Sequence, residues 1–339
     1  MKVQLIIDGE EAYNQADNRN GGSTPRNTDF AEALQDACDA GEVLTWPQDV
    51  AIDQPIVITI DKPLRGPFGL RMDGFKIISR ITDGSDLLTF KIAAPGIDCR
   101  YLRVQDLLIA GSGLDGNGLV ISCPRNDSWI YNFELRGVSV EGCGQAGVLL
   151  EGSVFEGMTS NLCTHGNKGD GARMQNFGPE GNVGVVSAIT MWGGSHRKNG
   201  GKGIYLIGAA APRDVKVHGA YFCENTDEGI VAENGIGLVS GCGFENNGGA
   251  GVALQNYGSF IGCTFSTGGP QLNGITGYLV GTLFVSCCSS EPYGAAISAG
   301  GVLVHVTGAP GSKVYTAASG GKPMIAADAS VVVLEAQAI

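Results

Sequence analysis

The sequence predicts an all-β fold, a parallel β-helix whose first coil is covered by one α-helix. Three observations carry this. A short unit, glycine followed by apolar residues, recurs as GLVI at Gly118, GVLL at Gly147, GARM at Gly171, GIYL at Gly203, GIVA at Gly229, GVAL at Gly251, GITG at Gly274 and GAAI at Gly294. Glycine makes up 54 of 339 residues, with no G-X-Y period and only 13 prolines, which fits many short strands and tight turns rather than collagen or a disordered chain. One amphipathic stretch, DFAEALQDACDAG, stands immediately before the first β runs.

The helix comes first. Asp29 can cap it, with Glu32 reaching back from three residues on. Phe30, Ala33, Leu34, Ala37 and Cys38 follow the i, i+3, i+4, i+7, i+8 stripe, and Gly41 ends it. Its task is to cover the first coil, whose backbone edge and apolar interior would otherwise face water. The polar stretch upstream, GEEAYNQADNRNGGSTPRNT, reads as an arm or linker. Residues 1–28 are therefore assigned to an arm, and the helix to 29–40.

EVLTWP and PIVITI begin the column. The glycine units follow at gaps of 29, 24, 32, 26, 22, 23 and 20 residues, and most are preceded by a second short strand such as VSVEG, SAITMWGG, VKVHGAYF or GLVSGCGF. A unit this short, with no helix inside, cannot bury its apolar residues alone; stacking successive units does so. Equivalent positions then stand about 4.8 Å apart in ladders along the surface. The glycines, and the asparagines of turns such as RKNGG, ENTDE and ENNGG, are expected at left-handed corners. The β-helix domain is placed at 29–300. GVLVHV, KVYTA and SVVVLE lack the glycine ladder, so 301–339 is expected to cap the column or mediate assembly.

Composition narrows the function classes. Hydrophobic residues reach 43%, ample for a core, and the formal net charge is −12. An acidic balance argues against nucleic acid, whose phosphates are bound by Lys and Arg. MKVQLIIDGEE has too short an apolar run for an export signal, and no stretch approaches the ~20 apolar residues of a membrane span. A cytoplasmic or virion-associated setting is expected, with no membrane partner. The ten cysteines show no CxxC and no Cys–His metal spacing. Cys143, Cys163, Cys242 and Cys263 recur at intervals of 20 or 21, and 79 across the gap; they are read as small, reduced core residues. No metal and no cofactor is expected.

The segment TDFAEALQDACDAGEVLTWPQDVAI, followed by glycine-rich coils, resembles the opening of the pectate-lyase-like right-handed parallel β-helix superfamily. That group includes polysaccharide lyases, polygalacturonase-type hydrolases, sugar epimerases and phage tailspike depolymerases. The resemblance covers most of the chain and implies the fold, a right-handed parallel β-helix with an N-terminal capping helix; it also implies a polysaccharide or oligosaccharide partner and, through the tailspikes, a homotrimer. It does not carry a reaction across. NRNGGSTPRNTD stands where these proteins commonly have a glycine–aspartate-rich segment. Asn225–Thr226–Asp227 resembles an element of polygalacturonases, but the Asp-Asp, Gly-His-Gly and Arg-Ile-Lys elements do not follow it. The Asp-Pro-His-Asp element of alginate epimerases and a calcium-type carboxylate cluster are also missing.

Aligning coils on their glycines puts TSNLCTHGNKGD, WGGSHRKNGGK, YFCENTDEG and GFENNGGAG in register. One surface strip is thus expected to hold His165, Lys168 and Asp170, then His196, Arg197 and Lys198, then Glu224, Asp227 and Glu228, and finally Glu245, with His218 nearby and Trp192 and Tyr205 beside it. His196, Arg197, Lys198, Glu224, Asp227 and Glu245 are the catalytic candidates; His165, Lys168, Asp170, Trp192, Tyr205 and Glu228 are the substrate-binding ones. A lyase must neutralise a uronate carboxylate, remove the C5 proton and protonate the leaving oxygen, which Arg, Lys, His and Tyr can do. A hydrolase needs two carboxylates, about 5–5.5 Å apart for retention or 6.5–9.5 Å for inversion, for which Glu224 or Asp227 pairs with Glu245. Solenoid turns also collect charge simply because they face water, so SHRKN is equally legible as a solvated turn. The leading expectation is an endo-acting lyase or glycosidase on an acidic glycan. A non-catalytic phage-tail or surface glycan-binding spike, and a sugar transferase or epimerase on the same scaffold, are the alternatives.

Overall fold

The computed structural model describes residues 27–125, 127–176, 184–208, 214–233, 235–254 and 258–266, and beyond these the backbone of seven strands between 275 and 335. Residues 1–26 of the polar arm lie outside the described residues, and 27 and 28 belong to the helix. The chain is a right-handed parallel β-helix: every strand pairing is parallel, and successive coils stack in register. One sheet of 21 strands takes two short strands from each coil, and a 12-stranded sheet takes one. A third sheet spans four coils: Asp98–Arg100, Trp129–Tyr131, Val154–Phe155 and Val186–Ser187. Parallel pairing continues past residue 300. Leu303–Gly308 pairs with Met324–Ala327 in the two-strand sheet, and Ser312–Thr316 with Val331–Glu335 in the 12-stranded one.

The helix runs Asn27–Ala40. It starts two residues before the expected cap, so Asp29 lies in its first turn, where a carboxylate suits the positive end of the helix dipole. Phe30, Leu34 and Cys38 are buried, and Phe30 meets Trp46 edge to face at 5.2 Å. Gln35 closes the open edge of the strand Ile56–Ile60: its Nε2 donates to the Thr59 carbonyl at 3.0 Å, and its Oε1 accepts from the Thr59 amide at 2.9 Å. One amide thereby satisfies a donor and an acceptor that the first coil would otherwise leave unpaired.

The glycines divide into two columns with different causes. Between the paired strands of the large sheet, Asp106, Gly137, Asn161, Gly193, Gly219, Gly241 and Gly262 occupy φ between 51° and 63°, the left-handed corner that Gly, Asn and Asp tolerate. The repeated glycines of the glycine–apolar units are not corners of that kind. A Cβ built on Gly118, Gly147, Gly171, Gly203 or Gly229 would stand 2.5–2.8 Å from the carbonyl oxygen of the next coil's glycine. Close approach of stacked coils fixes these residues, correcting the expectation of left-handed turns there.

Inside the column, residues of one position stack in rows, such as Leu119, Val148, Ala172, Ile204, Ile230 and Val252. The regularly spaced cysteines do not form one row. Cys143, Cys242 and Cys263 are buried, whereas Cys163 is half-buried in an outward row with Ser139 and Ser195. Burial holds the Cys143 thiol well above its usual range, in keeping with an inert packing role.

Candidate functional site

The turn after strands such as Ser195–Arg197 is built on an internal ladder of asparagines. Asn167, Asn199, Asn225 and Asn247 stand one coil apart and are buried. Asn167 Nδ2 donates to Asn199 Oδ1 at 3.0 Å, Asn199 Nδ2 to Asn225 Oδ1 at 2.9 Å, and Asn225 Nδ2 to Asn247 Oδ1 at 2.8 Å. Each oxygen also accepts a backbone amide of the preceding coil, as Asn225 Oδ1 does from Asn199 at 3.2 Å. The ladder satisfies the turn's buried polar groups and fixes the residues just before it, Gly166, Lys198, Glu224 and Asn246, at φ from 52° to 62°.

Those corners divide the expected strip. On the two-strand sheet's outer face, His165, Arg197, Cys223 and Glu245 align in register. Lys198 Nζ meets Glu224 Oε2 at 3.3 Å, with both side chains about half exposed. Lys168 is exposed on the turn itself. Beyond the turn, on the edge of the 12-stranded sheet, stand Asp170, Tyr205, Asp227 and Glu228, gathered around Lys202. Its Nζ lies 3.1 Å from Asp227 Oδ2, 3.9 Å from Glu228 Oε2 and 4.9 Å above the Tyr205 ring. Tyr205 donates to Glu233 Oε1 at 2.5 Å; burial, then Glu233, push its phenol up to about 12. Asp170 accepts the Lys202 amide at 2.9 Å, and burial raises its carboxyl above the usual carboxylate range.

His196 is not on the surface. Within Ser195–Arg197 the outer residues face solvent and the middle one points inward. The ring is 0% exposed, accepts or donates at Nδ1 with Thr164 Oγ1 at 2.9 Å, and stacks on Phe222 at 5.2 Å. Burial lowers its pKa to about 4. The expectation that His196 acts beside Glu224 and Glu245 is thereby corrected: strand alternation puts it in the core, out of reach of any substrate.

Trp192 and Tyr205 lie on different sheets. Trp192 is 50% exposed on the two-strand face and stacks on His218 of the next coil, centroids 4.1 Å apart and planes 17° apart. His218 Nδ1 is hydrogen-bonded to Ser240 Oγ at 2.6 Å; burial and then Lys216 hold the imidazole below its ordinary pKa. Past the Gly219 corner, exposed Tyr221 donates its hydroxyl to Glu245. Trp192 and His218 thus point outward from the strands before this corner, and Arg197, Tyr221 and Glu245 lie on the strands after it. Tyr221 and Lys202 lie outside the expected site, and His218 is expected only near it, yet its pairing with Trp192 has a signal: the two are 26 residues apart, the spacing from Gly203 to Gly229. Among the described residues no three His, Cys, Asp or Glu side chains converge as metal ligands, and no helix is long and apolar enough to cross a membrane.

No family model and no curated protein matches the sequence. Solved structures resemble it in fold. The enzymatically active domain of tailspike protein 2 from bacteriophage CBA120 is 13% identical with TM-score 0.51, over 81% of this chain and 40% of that one. The ORF18 protein of Geobacillus virus E2 is 16% identical with TM-score 0.50, over 86% of this chain and 65% of that one. The A-module of the Azotobacter vinelandii mannuronan C-5 epimerase AlgE4 is 15% identical with TM-score 0.47, over 94% and 95%. The chain thus spans less than two thirds of both phage proteins, and identities this low speak to the fold alone.

Proposed function

We propose that the chain binds an acidic polysaccharide along the outer face of the two-strand sheet and cleaves it there by lyase-type chemistry. The observation that carries this reading is the half-exposed Trp192 stacked on His218, with Arg197, Tyr221 and Glu245 on the strands just past the next corner. A flat indole presents an apolar surface to the C–H face of a sugar ring. Arg197 offers a fork of donors to a uronate carboxylate, which lowers the cost of charge developing at C5. His218, neutral at pH 7 because burial lowers its pKa, serves as the base, oriented by Ser240. Tyr221, whose hydroxyl is hydrogen-bonded to Glu245, turns from it to give a proton to the leaving oxygen in this reading. Lys198 and Glu224 form the rim, and His165 and Lys168 extend it.

A glycosidase is a second reading, favoured by the edge beyond the turn. Asp170, raised by burial, suits a general acid, and Asp227, ion-paired with Lys202, is the second carboxylate beside it. Tyr205 and Glu228 flank that pair. The third reading is a glycan-binding spike without turnover; the homotrimer expected with it is tested by light scattering, which a monomeric mass would contradict.

Incubation with polygalacturonate, alginate, hyaluronan and neutral glucans separates these readings. New absorbance from an unsaturated uronate supports the lyase, and new reducing ends without it support the hydrolase. A changed linkage or stereochemistry without net cleavage marks a transferase or epimerase. Saturable binding without any of these supports the spike.

A further inference from the structure

A second aromatic surface lies on the small third sheet, whose strands precede those of the large sheet by one left-handed corner at Asn132, Glu156 or Ala188. Arg100, Tyr131 and Phe155 occupy one register row across three coils. The Arg100 guanidinium sits 4.4 Å over the Tyr131 ring, and Tyr131 stacks on Phe155 at 5.6 Å with planes 5° apart. Tyr131 donates its hydroxyl to Asp98 Oδ2 at 3.1 Å, which also lies 3.4 Å from Arg100 Nη2. Two residues before Tyr131, and so on the same face of the strand, Trp129 is 41% exposed. Asp98 Oδ1 and Arg100 Nε make no hydrogen bond in the protein although both atoms are buried, so this pair retains unused polar capacity.

We infer that this row is a second carbohydrate subsite, taking an acidic oligosaccharide whose rings pack on Trp129 and Tyr131 while Arg100 holds a carboxylate. The inference rests on the glycan reading above and adds a separate place of contact. Size decides against a second copy of the chain as the occupant. Four strands about 4.8 Å apart and two or three residues long present about 200 Å², against roughly 800 Å² per partner in a stable interface. The composition agrees: an interface core is depleted of charge, whereas here the aromatic row begins and is edged by an Arg–Asp pair. Stacking over Tyr131 orients the guanidinium; with Nε buried and Nη2 beside Asp98, a carboxylate would be met from the Nη1 side of the part-exposed side chain.

The tryptophans provide the test. The chain has three, at 46, 129 and 192; Trp46 is buried against Phe30, so exposed emission comes from the other two. Trp192→Phe leaves Trp129 as the exposed reporter, and Trp129→Phe leaves Trp192. Each variant, with native circular dichroism, is titrated with polygalacturonate and alginate oligosaccharides and with neutral dextran. A saturable change in the Trp192→Phe protein with an acidic oligosaccharide, reduced at least tenfold in affinity by adding Arg100→Ala, supports the subsite. Change confined to the Trp129→Phe protein overturns it and leaves the first face standing. No change in either variant overturns both readings. Loss of self-association in a Trp129→Ala protein, without any effect of oligosaccharide on Trp129 emission, would assign the row to a second copy instead.

Discussion

Trp192 and His218 stack 4.1 Å apart on adjacent coils, so one ring cannot move without disturbing the other. Replacing Trp192 by Ala is expected to weaken oligosaccharide binding about tenfold, the equivalent of roughly 1.4 kcal/mol. Stability should change little, because half of the indole already faces water. Calorimetric titration reads the first effect and urea unfolding the second.

His218→Gln separates base catalysis from binding. The amide can keep a hydrogen bond to Ser240 but cannot take a proton, so turnover should fall by about 10²- to 10⁴-fold with binding largely retained. In the parent protein a base must be unprotonated. Activity should therefore rise with pH to a plateau, with its midpoint below the ordinary histidine value of about 6.5, since burial and Lys216 lower this pKa. A midpoint above that value would remove His218 from the role.

The sequence and the structure part company at SHRKN for a physical reason. The capping helix was legible because Phe30, Leu34 and Cys38 keep a helical period in apolar residues, and the coils were legible because close packing tolerates only glycine at Gly118, Gly147 or Gly171. His196 was not, because a polar residue occupies the inward position of a three-residue strand, where alternation has too few positions to declare itself. The stacked pair Trp192–His218 was missed differently. Aligning the turns brings polar residues together but discards the strand before each turn, where the coil-to-coil spacing would have paired them.

Asn225 gives a direct test of the ladder. It accepts from Asn199 at 2.9 Å and donates to Asn247 at 2.8 Å and to the His196 carbonyl at 3.0 Å. Asn225→Ala leaves these groups buried without that partner, which should cost about 3 kcal/mol in denaturant unfolding. Asn225→Asp should be no milder, because the carboxylate keeps the acceptor but loses the donor and brings a buried charge. A loss under 1 kcal/mol in Asn225→Ala would mean the turns hold without the ladder.

Glu224 stands at φ 55°, in line with Gly166 two coils earlier and Asn246 one coil later. Side chains pay about 1–2 kcal/mol in this conformation, while an exposed ion pair such as Lys198–Glu224 returns at most about 1 kcal/mol. Glu224→Gly is therefore expected to stabilise the fold by up to about 1 kcal/mol, read as a higher urea midpoint. If the carboxylate also contributes to the rim of the glycan face, affinity for an acidic oligosaccharide should hold or rise, because a negative charge has been removed. A lower midpoint would show that the corner carries no strain worth relieving.

His196 makes the fold sensitive to acid. Its ring is enclosed, with Thr164 on Nδ1, Phe222 on one face and no partner on Nε2. In the folded protein it takes a proton only near pH 4, whereas an unfolded histidine does so near pH 6.5. Between those values the unfolded chain holds the extra proton. The stability contributed by the neutral ring is thus complete above about pH 6.5 and is lost as pH falls toward about 4, by on the order of 3 kcal/mol. His196→Phe should flatten this part of the profile: a phenyl ring extends the Phe222–Phe244 stack, and Thr164 keeps the Asn199 amide at 3.4 Å. Urea unfolding of both proteins at pH 7.5, 6, 5 and 4 measures the difference, which cancels the carboxylates they share. Equal slopes would mean that the buried imidazole is protonated without unfolding, and the acid response would have to come from elsewhere in the chain.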